Sequence, residues 1–425
     1  MSQSSDNLNL AVDVAVISDI GMRRLNNQDA HIELIQDDET VWLNRGHLFA
    51  VADGMGAHAA GELASEMAVN SISHHYCQHR QLSPPEAILK AVHEANSEIH
   101  QRGQLNTEFH NMGTTCSSLL ILPQGALVAH VGDSRIYRLR ANQLQQLTFD
   151  HSLVWEVRAT GKIRDSEAAI NIPKNVITRS LGPQPNVQVD LEGPFEIQEH
   201  DVFLICSDGL TGKVSDQELG LILNLLPPQE AVSLLVDLAN VRGGPDNITA
   251  TVIKITGPGA VTRHRRSEPL VVGADMTPPP EVHVGVWVAM AICWLVAAGL
   301  AVSGYYLLAL LLFLGGATAI PFALWPRGGK QGGVPLTGGR RLGRGPYVTV
   351  DCAITKDSAE QLRQSVVQSL RLYRDATLAN HSRVEACLTE AKERIEQGKF
   401  QEAFRMLAVA VNAFADAIRR PNEKE

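Results

Sequence analysis

Four aspartates stand where apolar, strand-like runs end or begin: Asp53 after residues 48–52, Asp133 after 127–131, Asp208 after 202–206 and Asp246 before 248–255. Each adjoins a glycine or asparagine, in Asp53-Gly54, Gly132-Asp133, Asp208-Gly209 and Asp246-Asn247, residue types that let the chain turn sharply. The pattern predicts carboxylates gathered at one end of a sheet. Converging carboxylates repel unless a cation sits among them, and Mg²⁺ and Mn²⁺ favour all-oxygen surroundings. Such a donor set suits a metal-dependent hydrolase. Within residues 18–29 lie a further carboxylate, Asp29, and Arg24; an arginine fork can donate two parallel hydrogen bonds to a phosphate.

The elements that must hold these residues occupy the first part of a chain of 425 residues, net charge -9 and 44% hydrophobic, enough for a sizeable core. From residue 9 to about 256, short β-branched runs alternate with amphipathic stretches such as 61–77 and 84–101, which indicates one domain of α/β type, taken as residues 1–256. The acidic balance argues against a general nucleic-acid binder. Six cysteines without a C-x-x-C pair suit a reducing compartment, and the polar first residues contain no signal-peptide core.

Residues 257–283 turn to Pro, Gly and Arg and read as a linker. The charge-free stretch 284–325 would make one helix of about 63 Å at ~1.5 Å per residue, against a bilayer core about 30 Å thick. The sequence therefore predicts two transmembrane helices, roughly 284–302 and 307–325, reversed at Ser303-Gly304-Tyr305-Tyr306. Basic residues flank both outer ends, Arg263, Arg265 and Arg266 before and Arg327, Lys330, Arg340, Arg341 and Arg344 after, which by the positive-inside rule puts both termini in the cytoplasm of a multi-pass protein of the cytoplasmic membrane, with membrane lipid as a partner. A second Gly- and Arg-rich linker, 326–352, follows.

Residues 353–425 have helical period. Asp357-x-x-Glu360 and Ser382-x-x-Glu385 have the form of capping boxes, ahead of Leu362, Val366 and Leu370, then Val384, Leu388, Ala391 and Ile395. Gly398 separates a further helix with Phe400, Phe404, Leu407, Val411, Phe414 and Ile418 on one face. The turn at 396–403 is similar to one tetratricopeptide repeat. A single such unit leaves an apolar face for self-association, for capping by residues 362–373 or for a partner.

Six segments occur in order: Gly21-x-x-Arg24-x-x-Asn27-Gln28-Asp29, Ala52-Asp53-Gly54-Met55-Gly56, Met112-Gly113-Thr114-Thr115, His130-Val131-Gly132-Asp133-Ser134-Arg135, Ser207-Asp208-Gly209-Leu210 and Gly243-Gly244-Pro245-Asp246-Asn247-Ile248-Thr249. Together they resemble the bacterial branch of the type 2C metal-dependent Ser/Thr protein phosphatases, over about residues 11–256. The resemblance implies an α+β fold, a four-layer α-β-β-α sandwich of two antiparallel sheets flanked by helices, here followed by two transmembrane helices and a small all-α tail. It implies two Mn²⁺ or Mg²⁺ ions and a weaker third. On matching positions Asp53 bridges the pair, Asp208 and Asp246 complete the first site, the Gly54 carbonyl helps bind the second, and Asp29 holds water. The third site maps to Asp133 with Asp208. Arg24 steadies the phosphate, and His58 is the acid for the departing alkoxide, because two cations can activate a water but the leaving group still needs a proton. Two departures stand out: Ala57 replaces a common second glycine, and Gln28 takes the place of a metal-binding glutamate of animal members. The segment from Asp150 to Gly182 resembles the family's flap.

The implied function is a membrane-tethered Ser/Thr protein phosphatase acting on phosphorylated Ser/Thr proteins and opposing a Ser/Thr kinase. The competing reading is a catalytically silent membrane scaffold. Other chemistry is weaker: His75 and His79 share a helix face but read as part of a solvated helix end. Cys206 lacks the arginine of C-x5-R chemistry, since residue 212 is Gly, and Gly212-Lys213 lacks a P-loop.

Overall fold

The computed structural model describes residues 11–56, 59–159, 173, 176–262, 270–272, 284–310, 334–335, 348–371 and 381–419. Chain contacts divide it into one unit of Met1–Leu270 with Leu336–Glu425 and a second of Val271–Pro335.

The first unit opens with β1 (Val12–Asp19), β2 (Asp29–Leu34), α1 (Glu39–Arg45), β3 (His47–Met55), α2 (Ala60–Gln78) and α3 (Pro84–Leu105). It continues through β4 (Gly113–Thr114), β5 (Cys116–Leu122), β6 (Gly125–Val131), β7 (Arg135–Arg140), β8 (Gln143–Gln146) and α4 (Leu153–Ala159). Then come β9 (Asp190–Phe195), β10 (Val202–Cys206), α5 (Asp208–Thr211), α6 (Asp216–Leu225), α7 (Pro228–Val241) and β11 (Ile248–Ile255). The second unit contributes β12 (Val271–Val272), α8 (Val284–Val302) and β13 (Val334–Pro335), the two strands pairing with each other. Finally β14 (Thr349–Asp351), α9 (Lys356–Arg371), α10 (His381–Glu396) and α11 (Phe400–Arg419) return to the first unit.

Two antiparallel sheets result, in the orders β1-β11-β10-β7-β8-β14 and β2-β3-β5-β6-β9, with β4 paired to β3. Strand periodicity explains their burial on both faces. In β10, Phe203 and Ile205 enter the core between the sheets with Phe49, Leu119 and Ile253, whereas Val202, Leu204 and Cys206 pack on the helical side with Leu219 and Leu235. Each fully buried Phe or Ile contributes roughly 1.5–3 kcal/mol by leaving water. The helices are positioned locally too: Ser215 and Glu218 form a capping box at the start of α6, and α7 begins at Pro228, where a missing N–H costs nothing. Both sheets and the α+β class agree with expectation.

The tail helices carry the amphipathic stripe read from the sequence, and α11 buries Phe404, Leu407, Ala410, Val411 and Phe414. These join one cluster with Val232, Leu235 and Leu238 of α7, so the apolar face is covered within the same chain. Arg405–Glu230 and Arg419–Asp237, each at 2.9 Å, flank that contact. Gly398, at φ +74, ends α10 with Lys399 N–H donating to the Arg394 carbonyl. One detail differs: α9 is capped by Thr355 and Ser358, whose hydroxyls exchange bonds with each other's N–H, while Glu360 pairs with Arg363. The adjacent hydroxyl captures the helix start, and the pairing leaves Glu360 no capping role.

The two transmembrane helices and the multi-pass location are corrected. Among the described residues no helix is long and apolar enough to cross a membrane. α8 spans Val284–Val302, the bounds of the first expected helix. A turn with Gly304 at φ +84 follows. Residues 311–325, which carried most of the second expected helix, lie outside the described residues.

Candidate metal centre

Sheet register brings the first two carboxylates together, because Asp29 of β2 pairs directly with Asp53 of β3. β3 continues past Asp53, and Gly54 pairs with Thr114 of β4. A Cβ on Gly54 would lie 2.0 Å from the Gly61 carbonyl oxygen, so glycine alone fits where α2 approaches the strand. The Asp53 N–H donates to Thr115 Oγ1 at 2.9 Å, and its carbonyl accepts from Thr115 N–H at 2.9 Å and Thr114 Oγ1 at 2.9 Å.

Asp208 opens the short α5 at the end of β10, directly after Ser207. The Ser207 hydroxyl donates to Asp29 Oδ2 at 2.8 Å while accepting from Thr249 N–H at 2.9 Å, tying β2, β10 and β11 at this end. Asp133 follows Gly132, whose φ of +114 suits glycine. That turn is fastened to His151: Gly132 N–H donates to its Nδ1 at 3.0 Å, and His151 N–H donates to the Gly132 carbonyl at 2.7 Å. His151 Nε2 in turn meets Asp190 Oδ2 at 3.1 Å, and Arg179 donates to the other Asp190 oxygen at 2.7 Å.

Asp246 and Arg24 arrive on adjoining loops. Met22 N–H donates to the Gly244 carbonyl at 2.8 Å. Asn247 stitches the loops further, accepting from Gln28 N–H at 2.9 Å and donating to the Ile20 and Asn26 carbonyls at 2.9 and 3.0 Å. Arg24, with 44% of its side chain exposed, meets the two Asp246 oxygens at 2.8 and 2.9 Å. The phosphate-binding candidate therefore stands at the rim, oriented by a metal-ligand candidate.

The electrostatics are those of anions crowded without enough positive charge. Burial first, then the charges of Asp29, Asp208, Asp133 and Asp246, holds Asp53 well above the usual carboxylate range. Burial likewise pushes Asp29 up to about 7, against hydrogen bonds from Ser207 and Thr249, and Asp133 up to about 7, aided by Asp208 and Asp150. Asp208 is raised by burial and by Asp246, an effect eased by its hydrogen bond with Asp53. Asp29 Oδ1 and Asp133 Oδ1 are buried with no hydrogen-bond partner among the described residues. Orphaned, mutually repelling carboxylate oxygens are the donors a hard divalent cation requires. The residues present fit Mn²⁺ or Mg²⁺.

Of the residues expected here, Asp29, Asp53, Gly54, Asp133, Asp208, Asp246 and Arg24 come together, and His58 with Ala57 lies outside the described residues. Ser207, Thr115, Asn247 and His151 carry supporting roles that spacing did not assign; their adjacency to the ligand candidates was the available signal. Cys206 is fully buried, and burial pushes its thiol up, consistent with a core residue. The ends of the expected flap are joined where Thr178 N–H donates to the His151 carbonyl at 2.8 Å; residues 160–172 lie outside the described residues.

The profile of the family described as protein phosphatase 2C matches residues 22–240. The protein phosphatase PhpP of Streptococcus pneumoniae is 35% identical over 250 residues, covering 57% of this chain and 98% of that protein. The serine/threonine phosphatase stp of Listeria welshimeri is 37% identical over 227 residues, 52% of this chain and 89% of its own. Among solved structures, the Mycobacterium tuberculosis serine/threonine phosphatase PstP/Ppp superposes with a TM-score of 0.50 at 32% identity, covering 58% of this chain and 99% of that one.

Proposed function

The chain belongs to the protein phosphatase 2C family and is a protein-serine/threonine phosphatase, and on that premise we propose a catalytic centre for it: Asp29, Asp53, Gly54, Asp133, Asp208 and Asp246 hold divalent cations, and Arg24 receives the phosphate. The observation that carries the reading is the set of convergent buried carboxylates, raised by burial and then by one another, two with orphaned oxygens. By the family's pattern Asp53, Asp208, Asp246 and the Gly54 carbonyl would hold two ions, with Asp53 contributing to both and Asp29 acting through water, and Asp133 with Asp208 would hold a third.

Mn²⁺ or Mg²⁺, when bound, supplies an acidified water for attack and offsets charge on the phosphoryl oxygens. The chain's own residues do the rest. Arg24 donates its fork to the phosphate of a phosphoseryl or phosphothreonyl side chain, with Asp246 as its buttress. Ser207 fixes Asp29 through a hydrogen bond that favours the ionised form. His58, carried over from the family's pattern, protonates the departing alkoxide, which is otherwise a poor leaving group. The substrates are proteins phosphorylated by Ser/Thr kinases, which this activity opposes.

Phosphate release from a phosphothreonine peptide by the full chain, at saturating Mn²⁺, tests the proposal. Asp208→Ala should lower kcat/KM by about 10²-fold or more, beyond the 10–100-fold typical of residues one layer from a metal. Equal rates in both proteins would remove Asp208 from the centre.

A further inference from the structure

A second group of ligating side chains lies at the far end of α2. His75 and His79, one turn apart, were expected on a solvated helix end, yet their side chains are only 18% and 12% exposed because α3 packs across them. From α3, Glu94 Oε2 meets His79 Nε2 at 2.6 Å and His75 Nδ1 at 3.3 Å, one oxygen shared by two imidazoles. The rings are near-parallel, 16° apart with centroids at 6.2 Å. The other carboxylate oxygen of Glu94, Oε1, faces Lys90 Nζ at 3.9 Å.

We propose that His75 Nδ1, His79 Nε2 and Glu94 Oε2 form a zinc-class cation site that staples α2 to α3. Two imidazoles and a carboxylate are a zinc donor set, leaving one tetrahedral position for water. Bonds of about 2.0–2.1 Å put tetrahedral ligand atoms roughly 3.3 Å apart. The three atoms here all lie within 4.8 Å of one another, so side-chain adjustment alone brings them to an ion. The independent observation is Glu98: its Oε1 lies 2.8 Å from His75 Nε2. A carboxylate on the far nitrogen fixes the tautomer that leaves Nδ1 free to ligate, the arrangement that accompanies metal-bound histidines. A zinc ion would replace the proton that His79 and Glu94 share. From Ala60, beside the metal centre, to His75 is about 22 Å at ~1.5 Å per residue, so this site is separate from the phosphatase centre and does not rest on its chemistry.

The test uses the full chain, stripped with chelator and then saturated with Mn²⁺, titrated with Zn²⁺ by calorimetry and analysed for retained zinc after gel filtration. Wild type should hold one zinc equivalent that His79→Ala and Glu94→Gln both lose, with manganese-dependent phosphatase activity unchanged in each. Glu98→Gln should keep the stoichiometry and bind zinc about 10–100-fold more weakly. Glu94→Gln is nearly isosteric, so a failure of His79→Ala to fold leaves the decision with it. Equal zinc content in wild type and Glu94→Gln, or no zinc retained by wild type, overturns the site.

Discussion

Arg242 joins three parts of the molecule, and replacing it with Met removes the guanidinium while keeping most of the stem. Its Nη2 donates to Glu218 Oε1 at 2.7 Å and to Ser365 Oγ at 2.7 Å, and its Nη1 to the Lys213 carbonyl at 2.7 Å and Glu218 Oε2 at 2.9 Å. α6, the end of α7 and the tail helix α9 thus share one ion pair, each side chain 13% exposed. Burial disfavours the Glu218 charge, but the Arg242 hydrogen bonds and charge, with Ser365 and Ser215, outweigh it and hold the carboxyl down to about 2. Measured from an ordinary glutamate, that shift corresponds to about 3 kcal/mol, and to about 2 kcal/mol once solvent screening is allowed for. A depressed carboxyl stabilises the fold above its unfolded pKa of about 4.3, and the contribution is lost as pH falls through about 2. Removing only Arg242 leaves Glu218 charged without its partner, which costs about 3–5 kcal/mol. Urea unfolding at pH 7 of wild type, Arg242→Met, Glu218→Gln and the double variant should give a coupling of about 2 kcal/mol. A coupling below about 0.5 kcal/mol would refute the reasoning, because the pair would then contribute no more than an exposed one.

Three further outcomes follow from other regions. His47 Nδ1 accepts from Gln36 N–H at 3.0 Å, and burial holds the ring down to about 4, so its contribution is complete above pH ~6.5 and is lost as pH falls towards about 4; His47→Gln should flatten the acid limb of thermal melts between those values. Phe404 is fully buried between the tail and α7, and Phe404→Ala should cost about 3–5 kcal/mol in urea unfolding. Arg24→Ala should lower kcat/KM for a phosphothreonine peptide by roughly 10–100-fold, since a charge-assisted hydrogen bond contributes about 1.5–3 kcal/mol.

The candidate metal centre drew on local features of the sequence more than the global architecture did. Aspartates at strand ends beside glycine or asparagine are local features, and a strand period converts them into a shared sheet edge, so Asp53, Asp133, Asp208 and Asp246 were legible, whereas Asp29, between Gln28 and Ala30, was found through the motif it shares with Arg24. Their fastenings were not. Ser207 reaches Asp29 across 178 residues, and Arg242 reaches Ser365 across 123, distances at which periodicity carries no pairing information. The helical stripe of α11 was legible for the same local reason, but which surface covers it was set by α7. The charge-free stretch 284–325 predicted two membrane-crossing helices, whereas among the described residues no helix is long and apolar enough to cross; a charge-free composition reports affinity for apolar surroundings and does not specify a bilayer. The His75–His79 spacing was visible too, while Glu94 and Glu98, supplied by the neighbouring helix, were not.

The central claim is that these five aspartates are a divalent-cation centre that drives phosphate hydrolysis. Calorimetric titration of the chelator-stripped full chain with Mn²⁺, wild type against Asp53→Asn, tests it most directly. The account predicts at least two Mn²⁺ per wild-type chain and loss of the tight binding in Asp53→Asn, the carboxylate surrounded by the other four. Identical isotherms for the two proteins would contradict it.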